Sequence, residues 1–273
     1  MTLIPEIRPE QSLELLKELH ILTRDGKLNQ DSRRKLKQVY HLYNFIEPLL
    51  KELSPLEDFS VVDHGAGKSY LGFIMYDLFL KNKAMGKIYG IETRQELVQK
   101  SKDLATKLKF PRMHFLNESV EESTRSQSLP EQVEMVTALH ACDTATDDAI
   151  QFALKKKAKF IVLVPCCQAE MASILRKNKG KSLGPNVLTE IWRHPIHTRE
   201  FGSHITNVLR CLFLEAHGYQ VTVTELIGWE HSMKNELIIA HYKDLPRQHP
   251  SARLDKLLAE LNLEEMKQRF TLN

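Results

Sequence analysis

Cysteine is scarce, and its spacing suits no scaffold. Four occur in 273 residues, and two of them, Cys166 and Cys167, are adjacent. A vicinal pair is poorly placed to bridge itself, because disulfide geometry sets the two Cα atoms well apart. No Cys-x-x-Cys pair is present, which argues against structural zinc, so no metal is expected. With only Cys142 and Cys211 besides, the pattern is that of reduced thiols in a cytoplasmic protein. Long apolar runs are missing too. None approaches the ~20 residues that a membrane span needs. Glu6, Glu10, Glu14 and Glu18 interrupt the region where the apolar part of a secretion signal would sit. A soluble, cytoplasmic protein with no membrane association is expected. Charge of one sign is also lacking. Lys and Arg number 38 against 35 Asp and Glu, a net charge of +3, which neither demands nor excludes nucleic acid. Internal repeats and low-complexity tracts are absent.

What is present suffices for a full core, with 42% hydrophobic and 27% charged residues. The length allows one large or two small domains. Residues 1–57 read as a helical segment: Leu13, Leu16, Leu19 and Leu22 recur at helical spacing. Leu36, Val39, Tyr40, Tyr43, Ile46, Leu49 and Leu50 do so again, and Asp25-Gly26 breaks the two helices. Residues 58–273 read as the main domain. Strands are predicted at 59–63, 87–92, 113–116, 133–139 and 160–164, with helices between them, which implies a parallel sheet covered on both faces. Residues 170–217 read as a mostly helical insert, broken around Lys179-Gly180-Lys181-Ser182-Leu183-Gly184. Strands at 219–227 and 235–242 follow. Their linker is too short for a crossover helix, so they pair antiparallel. One charged helix, 251–270, closes the chain.

The main chemical signal is Val61-Val62-Asp63-His64-Gly65-Ala66-Gly67-Lys68-Ser69, where a strand runs into a glycine turn and a helix begins. Glycines permit the tight backbone and let a ligand approach it, and free N–H groups at the helix start face an anion. Glu92 ends the next strand, 25 residues after Gly67, where an acid can accept both ribose hydroxyls of a nucleoside. A Walker A loop would need Gly where Val62 stands, so Gly67-Lys68-Ser69 is only its tail, and a P-loop NTPase is the weaker reading. A dinucleotide turn would want a third glycine near Tyr70. S-adenosylmethionine wants an acid just before the glycines, and Asp63 supplies it. The alternative without a ligand is a plain tight turn.

Ligands of open parallel sheets bind outside the carboxyl ends of the strands. Leu139-His140-Ala141-Cys142-Asp143-Thr144 ends the fourth strand, so His140, Cys142 and Asp143 are pocket candidates; for Asp143 helix capping is an equal reading. Asp147 reads as a first-turn acid that stabilises the following helix. Val164-Pro165-Cys166-Cys167-Gln168 ends the fifth strand. Its thiols read as packing or shaping groups, since a nucleophile needs a lowered pKa from a neighbouring His or cation. Trp229-Glu230-His231-Ser232-Met233-Lys234-Asn235 forms the last hairpin, where His231 and Lys234 either touch substrate or sit in a solvated turn.

These motifs together resemble the S-adenosylmethionine-dependent methyltransferase domains found in uncharacterised bacterial proteins and in eukaryotic glutathione S-transferase C-terminal domain-containing proteins. The likeness runs from Arg34-Lys35-Leu36-Lys37-Gln38 to Lys234-Asn235. It implies an α/β, Rossmann-like class I fold: a seven-stranded sheet with an antiparallel last strand, an N-terminal helical segment and a helical insert after strand five. It implies cofactor contacts at Asp63, His64, Gly65, Ala66, Gly67, Glu92 and His140, with Glu118 or Ser119 near the adenine. It implies a substrate pocket that includes Cys142, Cys166, Cys167, Gln168, His231, Lys234 and Asn235, with His140 or Asp143 as proton sink. The third glycine common in such turns is Ser69 here. A fainter likeness joins the His-x-Cys stretch and the Cys-Cys pair to eukaryotic tRNA ribose methyltransferases. This chain lacks the further His and Cys that follow the pair there, so neither their metal nor their substrate is carried over.

Residues 170–210 hold seven Lys or Arg against Glu170, Glu190 and Glu200, and Arg33, Arg34, Lys35 and Lys37 form a second basic cluster. Basic segments at 176–181 and Arg33–Lys37 suit a phosphate backbone, so an RNA acceptor is expected. The alternatives are a solvated face, a protein or small-molecule acceptor, or a module that binds the cofactor without catalysis.

Overall fold

A computed structural model describes residues 5–139, 144–165, 169–178, 193–226, 236–244 and 249–272. Seven strands form one sheet: β1 (Ser60–His64), β2 (Lys87–Ile91), β3 (Met113–Leu116), β4 (Met135–Leu139), β5 (Phe160–Val164), β6 (Tyr219–Glu225) and β7 (Glu236–Tyr242). Their order is β3-β2-β1-β4-β5-β7-β6. The first five run parallel; β7 runs antiparallel to both β5 and β6. This is the class I sheet with its one reversed strand, as the short final linker requires. The strand order turns back between β1 and β4, which opens a crevice beyond their carboxyl ends.

The sheet is apolar on both faces because helices cover both. β1 shows how. Val61 joins one cluster with α1 (Leu13–Glu18), α2 (Gln30–Leu53), α3 (Tyr70–Met75) and α4 (Gln95–Lys107). Val62 joins the other, with α6 (Thr144–Lys155), α7 (Ala169–Asn178), α8 (Pro195–Ala216) and α9 (Pro250–Glu260). A short α5 (Val120–Arg125) lies between β3 and β4. The period-2 alternation of a strand thus divides the core into two halves.

The helices α1 and α2 do not stand apart from the sheet. Leu15, Leu16, Ile46 and Leu50 are fully buried in the same cluster as Val61 and Phe73. A polar clip fixes the junction. The buried Asp77 accepts from the amide of Gln11, from the Ser12 N–H at 2.7 Å and from Lys81 Nζ at 3.1 Å. Asp77 lies in a π-helical turn, Tyr76–Leu80, that continues α3.

One expectation changes. The closing helix is not continuous: α9 ends at Glu260 and a 3₁₀ segment takes over at Glu264–Phe270. Asn262 turns the chain with φ +53°, a conformation that Asn tolerates at helix ends. The turn lets Leu263, Met266 and Phe270 enter the core. The helical stretch expected after β5 is present, and its helices α7 and α8 supply Met171, Leu175, Leu209 and Phe213 to that core.

Leu16→Ala is expected to lower the unfolding free energy by ~2–5 kcal/mol, the range for deleting a buried leucine. The loss should appear as one cooperative urea transition. An unchanged transition for the sheet would mean that α1 is dispensable to the main core.

Candidate active site

Three strand ends are laced together at the site. β1 leads into Gly65 (φ +62°), Gly67 (φ +57°) and Ser69 (φ +52°), three alternate left-handed residues. The Ala66 N–H donates to the Ile91 carbonyl at 3.1 Å, which ties the turn to the end of β2. The Gly67 N–H donates to Glu92 Oε2 at 2.9 Å. The Asn117 amide donates to the carbonyls of Glu92 and Thr93 at 3.0 and 2.8 Å, which adds the end of β3. Gly90 makes the approach possible, since a Cβ there would lie 2.8 Å from the Phe115 ring.

Ser69 occupies a left-handed position where glycine is the unstrained choice. The chain accommodates it by placing glycine one turn on. A Cβ on Gly72 would lie 2.5 Å from Ser69 Oγ. The hydroxyl is buried and, among the described residues, without a hydrogen-bond partner.

Glu92 is the site's central acid. Its side chain is 7% exposed, and burial works against its ionisation. The Arg94 guanidinium, the Arg94 N–H and the Gly67 N–H outweigh that and hold its carboxyl below the usual range. Arg94 Nε and Nη2 reach the two oxygens at 3.0 and 3.1 Å.

Asp63 and His64 point to opposite faces of β1. Asp63 is fully buried and accepts from the Thr137 hydroxyl at 2.7 Å. Burial pushes its carboxyl up to about 7. His64 packs edge-on against Phe152 at 4.4 Å, and neither ring nitrogen has a partner among the described residues. Burial pushes its imidazole down to about 3.

Glu118 and Ser119 differ in availability. Ser119 caps α5 with a reciprocal box. Its hydroxyl accepts the Glu122 N–H, and its own N–H donates to Glu122. Glu118 accepts from Ser126 through one oxygen at 2.9 Å. Its other oxygen is buried and unpartnered among the described residues.

These groups fit the nucleoside part of S-adenosylmethionine. The left-handed turn would offer backbone to the amino-acid end, the Glu92 carboxylate would face the sugar, and the free Glu118 oxygen would suit the adenine amino group. The other expected residues, His140, Cys142, Asp143, Cys166, Cys167, Gln168, His231, Lys234 and Asn235, lie outside the described residues. Sequence reasoning missed Arg94, Asn117 and Thr137. Thr137 was within reach of the pattern, because it stands opposite Asp63 in the β1–β4 register.

The opposed shifts of Asp63 and His64 make a pH test. An imidazole at about 3 in the fold and 6.5 when free gives stability that is full above 6.5 and lost as pH falls toward 3. A carboxyl at about 7 in the fold and 3.8 when free does the reverse, favouring the fold below 3.8 and losing that contribution as pH rises toward 7. The two slopes oppose each other between about pH 4 and 6.5. His64→Leu should therefore make stability fall more steeply with rising pH in this window, and Asp63→Asn should make it climb. Chemical denaturation across the window reads both, and parallel slopes in the two variants would contradict the assignment. For the turn, Gly67→Arg should abolish S-adenosylhomocysteine binding by calorimetry while circular dichroism stays native. A side chain at φ +57° costs about 1–2 kcal/mol in strain and fills the cradle.

Comparison with known proteins agrees with the fold. A family model described as a methyltransferase domain matches residues 34–174, more than half of the chain. A Bos taurus glutathione S-transferase C-terminal domain-containing protein is 22% identical over 233 residues, covering 79% of this chain and 34% of the relative. The Homo sapiens protein of that name is 23% identical over 159 residues, covering 58% and 23%. The chain thus spans about a third or less of the length of these relatives. Magnesium protoporphyrin IX methyltransferase from Synechocystis, solved with bound S-adenosylhomocysteine, superposes with a TM-score of 0.50 at 13% identity, over 84% of this chain and 93% of that one. That likeness concerns the fold. The chain belongs to the methyltransferase-domain family.

Proposed function

We propose that the protein transfers the methyl group of S-adenosylmethionine to an RNA acceptor. The cofactor supplies an electrophilic methyl on a sulfonium. The residues around it bind, orient and exclude water, and holding the acceptor in line with the methyl carbon lowers the barrier by several kcal/mol. His140 or Asp143 is assigned as proton sink, with Cys142, Cys166, Cys167, Gln168, His231, Lys234 and Asn235 around the acceptor, on the family likeness.

One observation carries the choice of RNA. Lys68, within the glycine turn, and Lys100, on α4, line a single groove of about 390 Å³ together with His20, Lys107 and the acids Glu18 and Asp103. Lys107 is bound to Glu18 at 2.6 Å. Among the described residues neither Lys68 nor Lys100 has a carboxylate partner. Two uncommitted ammonium groups at the rim of a cofactor site suit a phosphate chain.

The basic segments seen in the sequence contribute less than their charge count. Arg210 is fully buried against Asp147, Nε to Oδ1 at 2.6 Å. Asp147 is thus a partner in a buried ion pair as well as a first-turn acid. Arg199 pairs with Glu200 at 2.9 Å, Lys177 with Glu265 at 3.7 Å, and Arg33 with Glu6 at 3.1 Å. Arg176, Lys35 and Lys37 are exposed.

The test offers methyl-labelled S-adenosylmethionine and the purified chain to total RNA, protein extract and a small-molecule extract. Label is expected in RNA. Lys100→Glu should cut that transfer about tenfold and lower the salt slope by about one, with S-adenosylhomocysteine affinity unchanged. Label confined to protein or small molecules would move the acceptor there. No transfer despite measurable cofactor affinity would leave a binding module.

A further inference from the structure

The ribose-binding carboxylate is already full. A carboxylate offers about four lone-pair sites. On Glu92, Oε2 accepts from the Gly67 N–H at 2.9 Å and from Arg94 Nη2 at 3.1 Å. Oε1 accepts from the Arg94 N–H and from Arg94 Nε, both at 3.0 Å. The Thr93 hydroxyl stands further off at 3.4 Å. Four N–H donors therefore take the places that two ribose hydroxyls would need.

The four donors are not equal. Two belong to the backbone of the turn and of the segment after β2, and the fold fixes them. The other two are the parallel N–H groups of one guanidinium, whose side chain is 61% exposed while that of Glu92 is 7% exposed. A guanidinium edge and a cis-diol present the same pattern, two neighbouring donors aimed at the two oxygens of one carboxylate. Arg94 also stands against the cradle itself, since its Nη2 lies 3.9 Å from where a Cβ on Gly67 would be.

We propose that Arg94 competes with the ribose for Glu92: its guanidinium occupies the diol-accepting face of the carboxylate and must leave when the ribose enters. The inference rests on the reading of the Asp63–Ser69 turn and Glu92 as the S-adenosylmethionine site. A ligand with both hydroxyls repays the lost fork by replacing both bonds. A ligand lacking one hydroxyl replaces only half of it. The bound form is available only to the fraction of molecules in which Arg94 has swung aside, so the fork lowers the apparent affinity by that fraction.

Calorimetry with S-adenosylhomocysteine and its 2′-deoxyribose analogue, on the full chain, tests this directly. Arg94→Ala should bind S-adenosylhomocysteine about two- to fivefold tighter than the wild type, the range that an ion pair with one exposed partner allows. The Arg94→Gln variant, able to engage one oxygen only, should fall between. The loss on removing the 2′-hydroxyl should be larger in Arg94→Ala than in the wild type, because the wild-type fork re-forms in part beside the deoxy ligand. A purely structural role for Arg94 would leave that ratio unchanged. Equal or weaker binding by Arg94→Ala, with the same 2′-hydroxyl loss in both proteins, would overturn the proposal and leave the cofactor site standing. Failure of the folded wild type to bind S-adenosylhomocysteine at all would overturn the site and this proposal together.

Discussion

The carboxylate of Glu92 is the joint on which the site depends. It ends a parallel strand, is held inside the protein, and accepts the N–H of Gly67 across the gap to the neighbouring strand. A buried charge is tolerated only when it is paired and hydrogen-bonded. Glu92 meets that condition by drawing the glycine turn and Arg94 to itself. The left-handed path from Gly65 to Ser69, the small residue at Gly90 and the Asn117 clamp all serve the same convergence. Without the acid the Gly67 N–H would lose its acceptor, and the strand ends would be tied only through the main-chain carbonyls that Ala66 and Asn117 reach.

The electrostatics of β1 follow from the same crowding. Two adjacent residues, Asp63 and His64, are sealed on opposite faces of one strand, where a solvated protein would expose both. Each resists its charged form because the apolar core excludes water, which raises the Asp63 carboxyl to about 7 and lowers the His64 imidazole to about 3. Asp63 keeps one hydroxyl for company. His64 sits where a branched aliphatic residue would fill the same space without desolvating two nitrogens.

Much of the architecture was legible in the sequence because strands buried on both faces are continuous apolar runs and the helices between them carry clear periodicity. All seven strands fall within a few residues of where pattern puts them. What escaped was governed by tertiary context. The six residues of α5 carry no periodic signal, and their capping box, Ser119 with Glu122, is recognisable only once the helix is known. The break at Asn262 answers to three side chains that must reach the core rather than to local propensity. In the candidate site, the glycine turn and its closeness to Glu92 were legible because a left-handed turn restricts which residues can stand in it. Arg94 was not, because a surface arginine two places after an acid looks like any other. The basic count over 170–210 misled for a related reason: sequence assigns Arg210 to the surface, whereas the fold encloses it beside Asp147.

The position of β7 bears on how the chain is made. It is the last strand to leave the ribosome, yet it occupies the slot between β5 and β6. At ~5–20 residues per second, β5 waits several seconds with one whole edge unfilled, and β6 is released with no neighbour at all. The nascent sheet from β1 to β5 therefore passes through a period in which Phe160–Val164 presents bare main-chain groups and aliphatic side chains to solvent or to a chaperone. Sealing that edge waits for β7, and a ribosome stalled before Glu236 would leave behind a template for intermolecular strand pairing.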